Sequence, residues 1–426
     1  MKIAIVGSGI SGITVANKLS KDYEVTIFEK NKRLGGHTLT EEIEGNKIDI
    51  GFQVLNKQSY PNLMKWFWEL GVDIQKSCMS FSVDNNFAWG TKSILGFFGY
   101  FFKNIFNYKF WLMIYDLLRF YNHGTYYNET YEITIKDFCN KKKYSKSFLD
   151  NYLIPFCSCV WSMNPDKCLE MPMNNFIKFM KNHSFLSLST LQWYVVKNGS
   201  SSYIDKALIN VKIKNNCEVS KIYYDNKKVV VYYNGVEEVF DKVVVAVHGD
   251  IAYKLLKYDY LKNIKYTKHN VVLHTDDSLM PSYKKSWSSW NFRYNDNLTV
   301  TYWCNSLYPH NNYKKNYFIT LNPNKKLKNE FKTYELYHPL VNKNLEDSVK
   351  IIKQNQGVNN IWLCGAYMGH GFHEDGHLSG LEVVNSINNN NNQYILKPLF
   401  EKSLFNKFIF SCFYFFLFNN LIVVFN

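Results

Sequence analysis

A chain of 426 residues has room for two domains, or for one large domain carrying an insertion. Its formal net charge is +14 and its pI about 9.1, carried almost wholly by lysine, since Arg33, Arg119 and Arg293 are its three arginines. The lysines are dispersed among asparagine, tyrosine and phenylalanine with no basic cluster on a recognition motif, which argues against nucleic acid as a partner and leaves two sources for the charge, AT-rich codon usage or attraction to anionic lipid.

Lys2 to Val6 is a short apolar, β-branched run that reads as a strand. It enters Gly7-Ser8-Gly9-Ile10-Ser11-Gly12, and Ile13 to Lys21 reads as a helix. A second apolar strand, Glu24 to Phe28, ends on Glu29, seventeen residues past Gly12 and near the ~20 expected of an acid that binds a ribose hydroxyl. Strand, glycine loop, helix and acid in that order form a dinucleotide fingerprint rather than a bare glycine turn. Gly7 permits the tight turn, Gly9 brings the backbone up to a pyrophosphate, and Gly12 lets the helix pack on the sheet. The helix N-terminus offers free N–H groups to the phosphates.

Arg33-Leu34-Gly35-Gly36-His37 comes next, then Ile48-Asp49-Ile50-Gly51-Phe52, a strand and turn. Tyr60 to Gly71 has a helical pattern, with Leu63, Trp66, Phe67 and Leu70 on one face. Residues 94 to 121 are rich in Phe, Tyr and Trp but too interrupted by Lys and Asn for a transmembrane span, which needs ~20 apolar residues. Two readings stay open there: core helices of a substrate domain, or a lipid-facing surface. Residues 145 to 195 read as helical, broken by Pro155, Pro165 and Pro172.

Gly199-Ser200-Ser201 precedes a helix from Tyr203 to Asn210. Lys221 to Tyr224 and Val229 to Tyr233 form a hairpin, and Val243 to Val247 is a buried parallel strand. Residues 267 to 340 alternate aromatic and polar residues over several strands, among them Thr299 to Trp303 and Tyr317 to Leu321. Asn360 to Cys364 is a last strand, and Gly376 to Ile387 a last helix. Asn388 to Asn392 is a polar linker. In the apolar tail beyond it, the longest uninterrupted run, Phe408 to Phe418, would span ~17 Å as a helix, short of the ~30 Å hydrocarbon core. That tail attaches to a membrane surface or packs on protein.

Nine cysteines without a C-x-x-C indicate free thiols in a reducing compartment. Met1-Lys2 leads directly into the first strand, which leaves no signal peptide in this reading. The expected location is the cytoplasm, peripheral on a membrane through the tail.

The Arg33 to His37 stretch resembles the Arg-x-Gly-Gly element of the glutathione-reductase-type flavoproteins, the amine oxidase and phytoene desaturase superfamily. Further matches are Asp49 to Val54, Tyr60 to Leu63, Met79 to Val83, Ser286 to Asn291, Thr320 to Pro323 and Gly371 to Gly376. They resemble one subgroup, predicted NAD/FAD-binding proteins associated with cyclopropane-fatty-acyl-phospholipid synthases. The resemblance implies an α/β fold, a discontinuous Rossmann-like FAD-binding domain with an inserted α+β substrate domain. The boundaries expected are 1–58, 196–262 and 345–387 for the FAD-binding domain and 59–195 and 263–344 for the substrate domain. Residues 388–392 are the linker and 393–426 the tail.

The resemblance also implies non-covalent FAD. Its binding residues would be Gly7, Gly9, Ser11, Gly12, Glu29, Lys30, Arg33, Gly35, Gly36, His37, Thr38, Gly51, Phe52, Val219, Gly365, Ala366, Phe372, Gly376 and His377. Ala366 stands where the family carries an acid toward the ribityl chain. His373 or Glu374 would take a proton as hydride leaves for the flavin, or the loop is structural, with Asp375 capping the last helix. Trp287, Trp290, Tyr302 and Trp303 would wall the substrate pocket, and no metal is expected. The expected function is an FAD-dependent oxidoreductase dehydrogenating a lipid or fatty-acyl chain. The alternatives are a soluble flavin amine oxidase or other small-molecule dehydrogenase, and a non-catalytic flavin-binding partner of a lipid methyltransferase.

Overall fold

The computed structural model describes residues 1–98, 103–128, 132–163, 165–186, 191–295, 297–389 and 395–396. The apolar tail apart from Ile395 and Leu396, the linker from Asn390 onward, and Tyr100, Phe101 and Phe102 lie outside the described residues.

Five parallel strands form the sheet that carries the glycine loop. Lys2–Val6 is central, flanked by Glu24–Phe28 and then Lys212–Lys214 on one side, and by Lys242–Val245 and Ile361–Leu363 on the other. Ile3, Ala4, Ile5, Val243, Val244 and Val245 are fully buried, as continuous apolar runs of a doubly covered parallel sheet require. The sequence expectation missed Lys212–Lys214, whose lysines hide a three-residue strand at the sheet edge. Here the backbone pairing decides: Lys214 O accepts from Glu29 N at 2.9 Å.

The expected hairpin is a three-stranded antiparallel meander, because Val236–Phe240 adds to Val219–Asp225 and Lys228–Tyr233. A seven-stranded sheet collects Phe81–Asp84 and Ala88–Gly90 with five strands between Tyr266 and Pro339. It is antiparallel except where Trp290–Asn295 pairs with Phe81–Asp84. A small sheet joins Leu55–Asn56, Trp193–Val196 and Ile74–Ser77, so the stretch expected to be helical to residue 195 ends in a strand.

Pro155 does not break its helix. It follows a π-helical turn, Leu149–Leu153, and sits at the start of Ile154–Trp161, where its missing N–H costs no bond in the wider turn. The last helix begins at His373, three residues before the expected Gly376, and runs to Ile387. It packs on the first helix, Ile10–Leu19. Glycines one turn apart make that approach possible: a Cβ at Gly376 would lie 2.6 Å from Ile10 Cγ2, and one at Gly380 2.8 Å from Ser11 O. Eight described cysteines are free thiols. Among the described residues no helix is long and apolar enough to cross a membrane.

Candidate functional site

Gly7 leaves the first strand at φ +104°, with its N–H bonded to Phe28 O at 2.9 Å. Gly12 sits where a Cβ would strike Gly7 O at 2.1 Å, so the helix closes directly on the turn. A Cβ at Gly9 would meet nothing within 4 Å. Gly9 therefore faces open space at the helix N-terminus, where backbone N–H groups lack intrahelical partners. Gly36, at φ +57°, backs onto the same spot, its Cβ position 3.1 Å from Gly9 Cα. The two glycine elements thus form one cradle from separate loops.

Glu29 is 7% exposed, and its carboxylate braces that cradle. One oxygen accepts from Ser8 N (3.1 Å) and Ser8 Oγ (2.7 Å), the other from Asn31 N (3.0 Å) and Asn31 Nδ2 (2.9 Å). Ser8 O in turn accepts from Gly35 N at 3.0 Å. Arg33 serves the same loop from outside. Its guanidinium donates to the carbonyls of Leu34, Gly36 and Thr38 at 2.7–2.9 Å, holding Gly35 and Gly36 in their left-handed conformations. Val219 starts the meander two residues after Cys217, whose N–H donates to Glu29 O at 2.9 Å. Lys30 is exposed beside Glu29, and its charge acts on His248.

His37 begins a row of four imidazoles. Its ring centroid is 5.7 Å from that of His248 and 5.5 Å from that of His338, and His338 is 5.2 Å from His269. Burial pushes His37 down to about 3, and His248 and His269 to about 4; His338 also falls well below the usual range. His37 Nε2, His338 Nδ1 and His269 Nε2 are buried with no hydrogen-bond partner. Gly51 packs so closely on His37 that a Cβ would lie 2.1 Å from His37 O. Phe52 then lays its ring on His373, 3.8 Å between centroids and 9° from parallel.

The far end of the chain reaches this site through the last strand and helix. Gly365 N donates to Ser379 Oγ at 3.0 Å, and Ala366 O accepts from Gly371 N at 3.1 Å. Phe372 is the N-cap residue, and its N–H donates to Asp375 at 3.0 Å. His373 Nε2 lies 3.0 Å from Thr38 Oγ1 and 3.3 Å from Tyr203 OH; burial lowers it to about 3. Glu374 points elsewhere. Its carboxylate accepts from Asn62 N, Asn62 Nδ2 and Leu63 N at 2.7–3.0 Å, capping the helix Pro61–Glu69, and burial raises it to about 7. Both of its oxygens are thus committed to that cap. His377 bridges helices, its Nδ1 2.8 Å from Thr14 Oγ1 and its ring stacked 4.9 Å from Trp66.

The four aromatic residues expected to wall one pocket do not share a face. Tyr302 and Trp303 are neighbours on the strand Asn297–Trp303, so their side chains point to opposite sides. Trp290 pairs with Tyr302 at 5.2 Å on the main-core side. Trp287 packs with Trp303 and Phe318 in a separate cluster. The sequence reading also passed over Ser8, Asn31, Asn62 and Tyr203. Ser8 lies inside the glycine motif and Asn62 follows a helix-starting Pro61; the other two carry no local signal.

An open cradle at Gly9 and Gly36, a helix N-terminus beneath it, and an unpartnered His37 nitrogen nearby fit a dinucleotide of the FAD type. A model of the family described as flavin containing amine oxidoreductase matches residues 10–288. A 4,4'-diapolycopen-4-al dehydrogenase of Metabacillus indicus is 52% identical over 52 residues, covering 12% of this chain and 11% of that protein. A 4,4'-diapophytoene desaturase of Staphylococcus aureus (strain Newman) is 42% identical over 52 residues, 12% of this chain and 10% of that protein. These matches span about a tenth of the relatives' length. A fatty acid isomerase from P. acnes, described as CLA-producing, superposes with a TM-score of 0.67 at 12% identity over 90% of this chain and 98% of its own. Cyclohexylamine oxidase from Brevibacterium oxydans IH-35A gives 0.65 at 12% over 91% and 98%. At such identities the likeness is one of fold.

Proposed function

This chain belongs to the family of flavin-containing amine oxidoreductases, and from that membership we propose that it is an FAD-dependent oxidoreductase dehydrogenating a lipid or fatty-acyl chain. When bound, FAD supplies a two-electron acceptor for hydride. Gly9, Gly36 and the helix N-terminus would hold its diphosphate without a covalent link, Glu29 and Val219 its adenosine half, and the turn from Gly365 to Gly376 its flavin. The expected domain division follows the same logic, the parallel sheet holding the cofactor and the seven-stranded sheet the substrate.

The observation that carries the acyl reading is what surrounds Phe372. Three polar groups of its turn are bonded inward, His373 to Thr38 and Tyr203, Glu374 to Asn62 and Leu63, Asp375 to the Phe372 N–H, while the rings of His370 and His183 stand 6.0 and 4.2 Å from that of Phe179. On the other side Phe372 joins a column of rings through Phe179, Phe185, Phe156, Tyr152 and Trp89 to Phe97, with centroids 5.2–6.3 Å apart at every step. A surround of packed core rings favours an apolar substrate over a charged one. Dehydrogenation then asks the chain for orientation and exclusion of water more than for a strong base. His373 and Glu374 act in this reading as positioning residues. Trp290 and Tyr302 are the pair left to line the substrate side. The 4,4'-diapophytoene desaturase matched over 52 residues, and the fatty acid isomerase of like fold, support the same class.

The subgroup resemblance extends the proposal to a lipid methyltransferase as partner, and the composition of the tail to peripheral membrane attachment. The test of the reaction is an anaerobic titration of FAD-loaded protein. Micellar fatty-acyl phospholipid is expected to bleach the oxidised flavin absorbance, and an amine panel to leave it intact. Bleaching by amines alone would reassign the substrate. Inertness to both, with FAD bound, would leave a non-catalytic flavoprotein.

A further inference from the structure

The helix Tyr108–Thr125 buries Phe110, Met113, Ile114 and Phe120 and turns Tyr108, Leu112 and Tyr115 outward. The turn before it and the short helix Ile94–Phe97 extend this outward face. Phe106 is 82% exposed, Ile94 78% and Tyr108 68%. These tips are built into place. Ser93 Oγ accepts from Gly96 N at 3.0 Å, Trp111 Nε1 donates to Ile105 O at 2.7 Å, and the Phe97 and Phe98 rings stand 5.6 and 6.4 Å from Phe110. Isolated exposed apolar residues mean little, but a contiguous raised group marks an interaction surface.

Charge decides what it meets. From Asn85 to Asn128 the only carboxylate is Asp116. It is 1% exposed, ion-paired to Arg119 at 2.5 Å, and accepts from Ser145 N at 2.8 Å. Lys92, Lys103 and Lys109 lie in the same stretch. Exposed Lys284 and Lys285 come alongside it, where Ser93 Oγ and the Gly96 Cβ position approach Lys285 O. The result is an aromatic and aliphatic face with lysines beside it, Lys92 lying 4.0 Å over Trp303 and Lys284 5.4 Å over Trp287, and no exposed acid from Asn85 to Asn128. A second copy of the face would set lysine against lysine. An anionic lipid surface takes both components at once: the rings and branched chains enter the headgroup boundary while lysines stay with the phosphates.

We propose that the protein docks on anionic bilayers through the face formed by Ile94, Leu95, Ile105, Phe106, Tyr108 and Leu112. This stands whether or not the substrate is an acyl chain, and independently of the tail.

The experiment uses the full FAD-loaded chain with an environment-sensitive NBD label at Phe106→Cys, at Ile94→Cys, or at Ile209→Cys. Ile209 is 79% exposed and lies outside this face. The unsubstituted protein, labelled in parallel, gives the background from native thiols. With phosphatidylcholine vesicles containing phosphatidylglycerol, the labels at 94 and 106 should shift to the blue and brighten at least twofold, while that at 209 stays unchanged. Pure phosphatidylcholine should give a smaller response. No shift at either 94 or 106 overturns the proposal, even if the protein floats with the vesicles, because the tail would then be the anchor. An equal shift at 209 overturns it as unspecific adsorption. A shift that needs no vesicles and grows with protein concentration overturns it in favour of self-association.

Discussion

Thr38 Oγ1 stands 3.0 Å from His373 Nε2 and 2.6 Å from Tyr203 OH, joining three segments that are far apart in the chain. One hydroxyl thus fixes the last helix to the loop that follows the second glycine pair. Thr38→Val keeps the side-chain shape and removes one partner each from Tyr203 OH and His373 Nε2, which keep each other at 3.3 Å, at a cost of about 0.5–1.5 kcal/mol. We expect lower stability in urea and weaker FAD binding, the latter read by recovery of free-flavin fluorescence. A variant with wild-type FAD affinity would separate this junction from the cofactor site.

Gly36 and Gly45 both lie at positive φ, +57° and +75°, but only Gly36 faces a neighbour, Gly9 Cα. Alanine at either pays the left-handed penalty of about 1–2 kcal/mol. Gly36→Ala also pushes into the cradle. The expected outcome is a similar loss of stability for both variants, and at least a tenfold loss of FAD affinity for Gly36→Ala alone. Equal FAD affinities would place the diphosphate elsewhere.

The imidazole row makes the fold acid-labile. An unperturbed histidine titrates near 6.5, whereas His37, His248 and His269 lie at about 3 to 4 in the folded protein because burial disfavours the cation. Below 6.5 the unfolded chain therefore binds protons that the folded chain refuses. Stability is complete above that value and falls as pH drops from about 6.5 toward 4, with a limiting slope of about 1.4 kcal/mol per pH unit for each histidine. His269→Gln, at a site only 2% exposed, should reduce the slope by up to one such step. Urea midpoints at pH 7, 6 and 5 measure it, and an unchanged slope would remove His269 from the account.

The glycine cradle was legible because its signal is local: two loops, each with its glycines at fixed spacing, and an acid at a strand end. The parallel strands of the core were legible as unbroken apolar runs. What escaped depended on distant partners. Glu374 looked like a candidate base until its carboxylate was found on Asn62 and Leu63, whose positions no short-range pattern ties to it. Trp287 and Trp303 looked like pocket walls, but strand alternation turns Trp303 away from Tyr302 and its cross-strand partner Trp290, and Trp287, in the turn before that strand, packs on Trp303. Arg33 entered as an FAD-binding residue through the resemblance of its Arg-x-Gly-Gly element, and its guanidinium donates to three loop carbonyls.

Asp49 supplies a stability effect of opposite sign. It is 1% exposed, and one oxygen accepts from Thr40 Oγ1, Ser200 N and Ser200 Oγ at 2.5–2.8 Å, while Oδ2 is buried without a partner. Burial outweighs these bonds and raises its carboxyl from 3.8 to about 6. The unfolded chain therefore releases this proton first, and the folded state loses stability as pH rises from about 4 to 6, by up to about 3 kcal/mol for a shift of this size. Asparagine preserves the accepting oxygen and removes the buried charge. Asp49→Asn should match the wild type near pH 4, where each carries a neutral group with an unpartnered donor at the Oδ2 position, and exceed it by about 1–3 kcal/mol at pH 7.5. Paired denaturation curves at the two pH values decide it. A variant less stable at pH 7.5 would mean that the charge on Asp49, and not only its accepting oxygen, holds Ser200 against the strand that ends at Asp49.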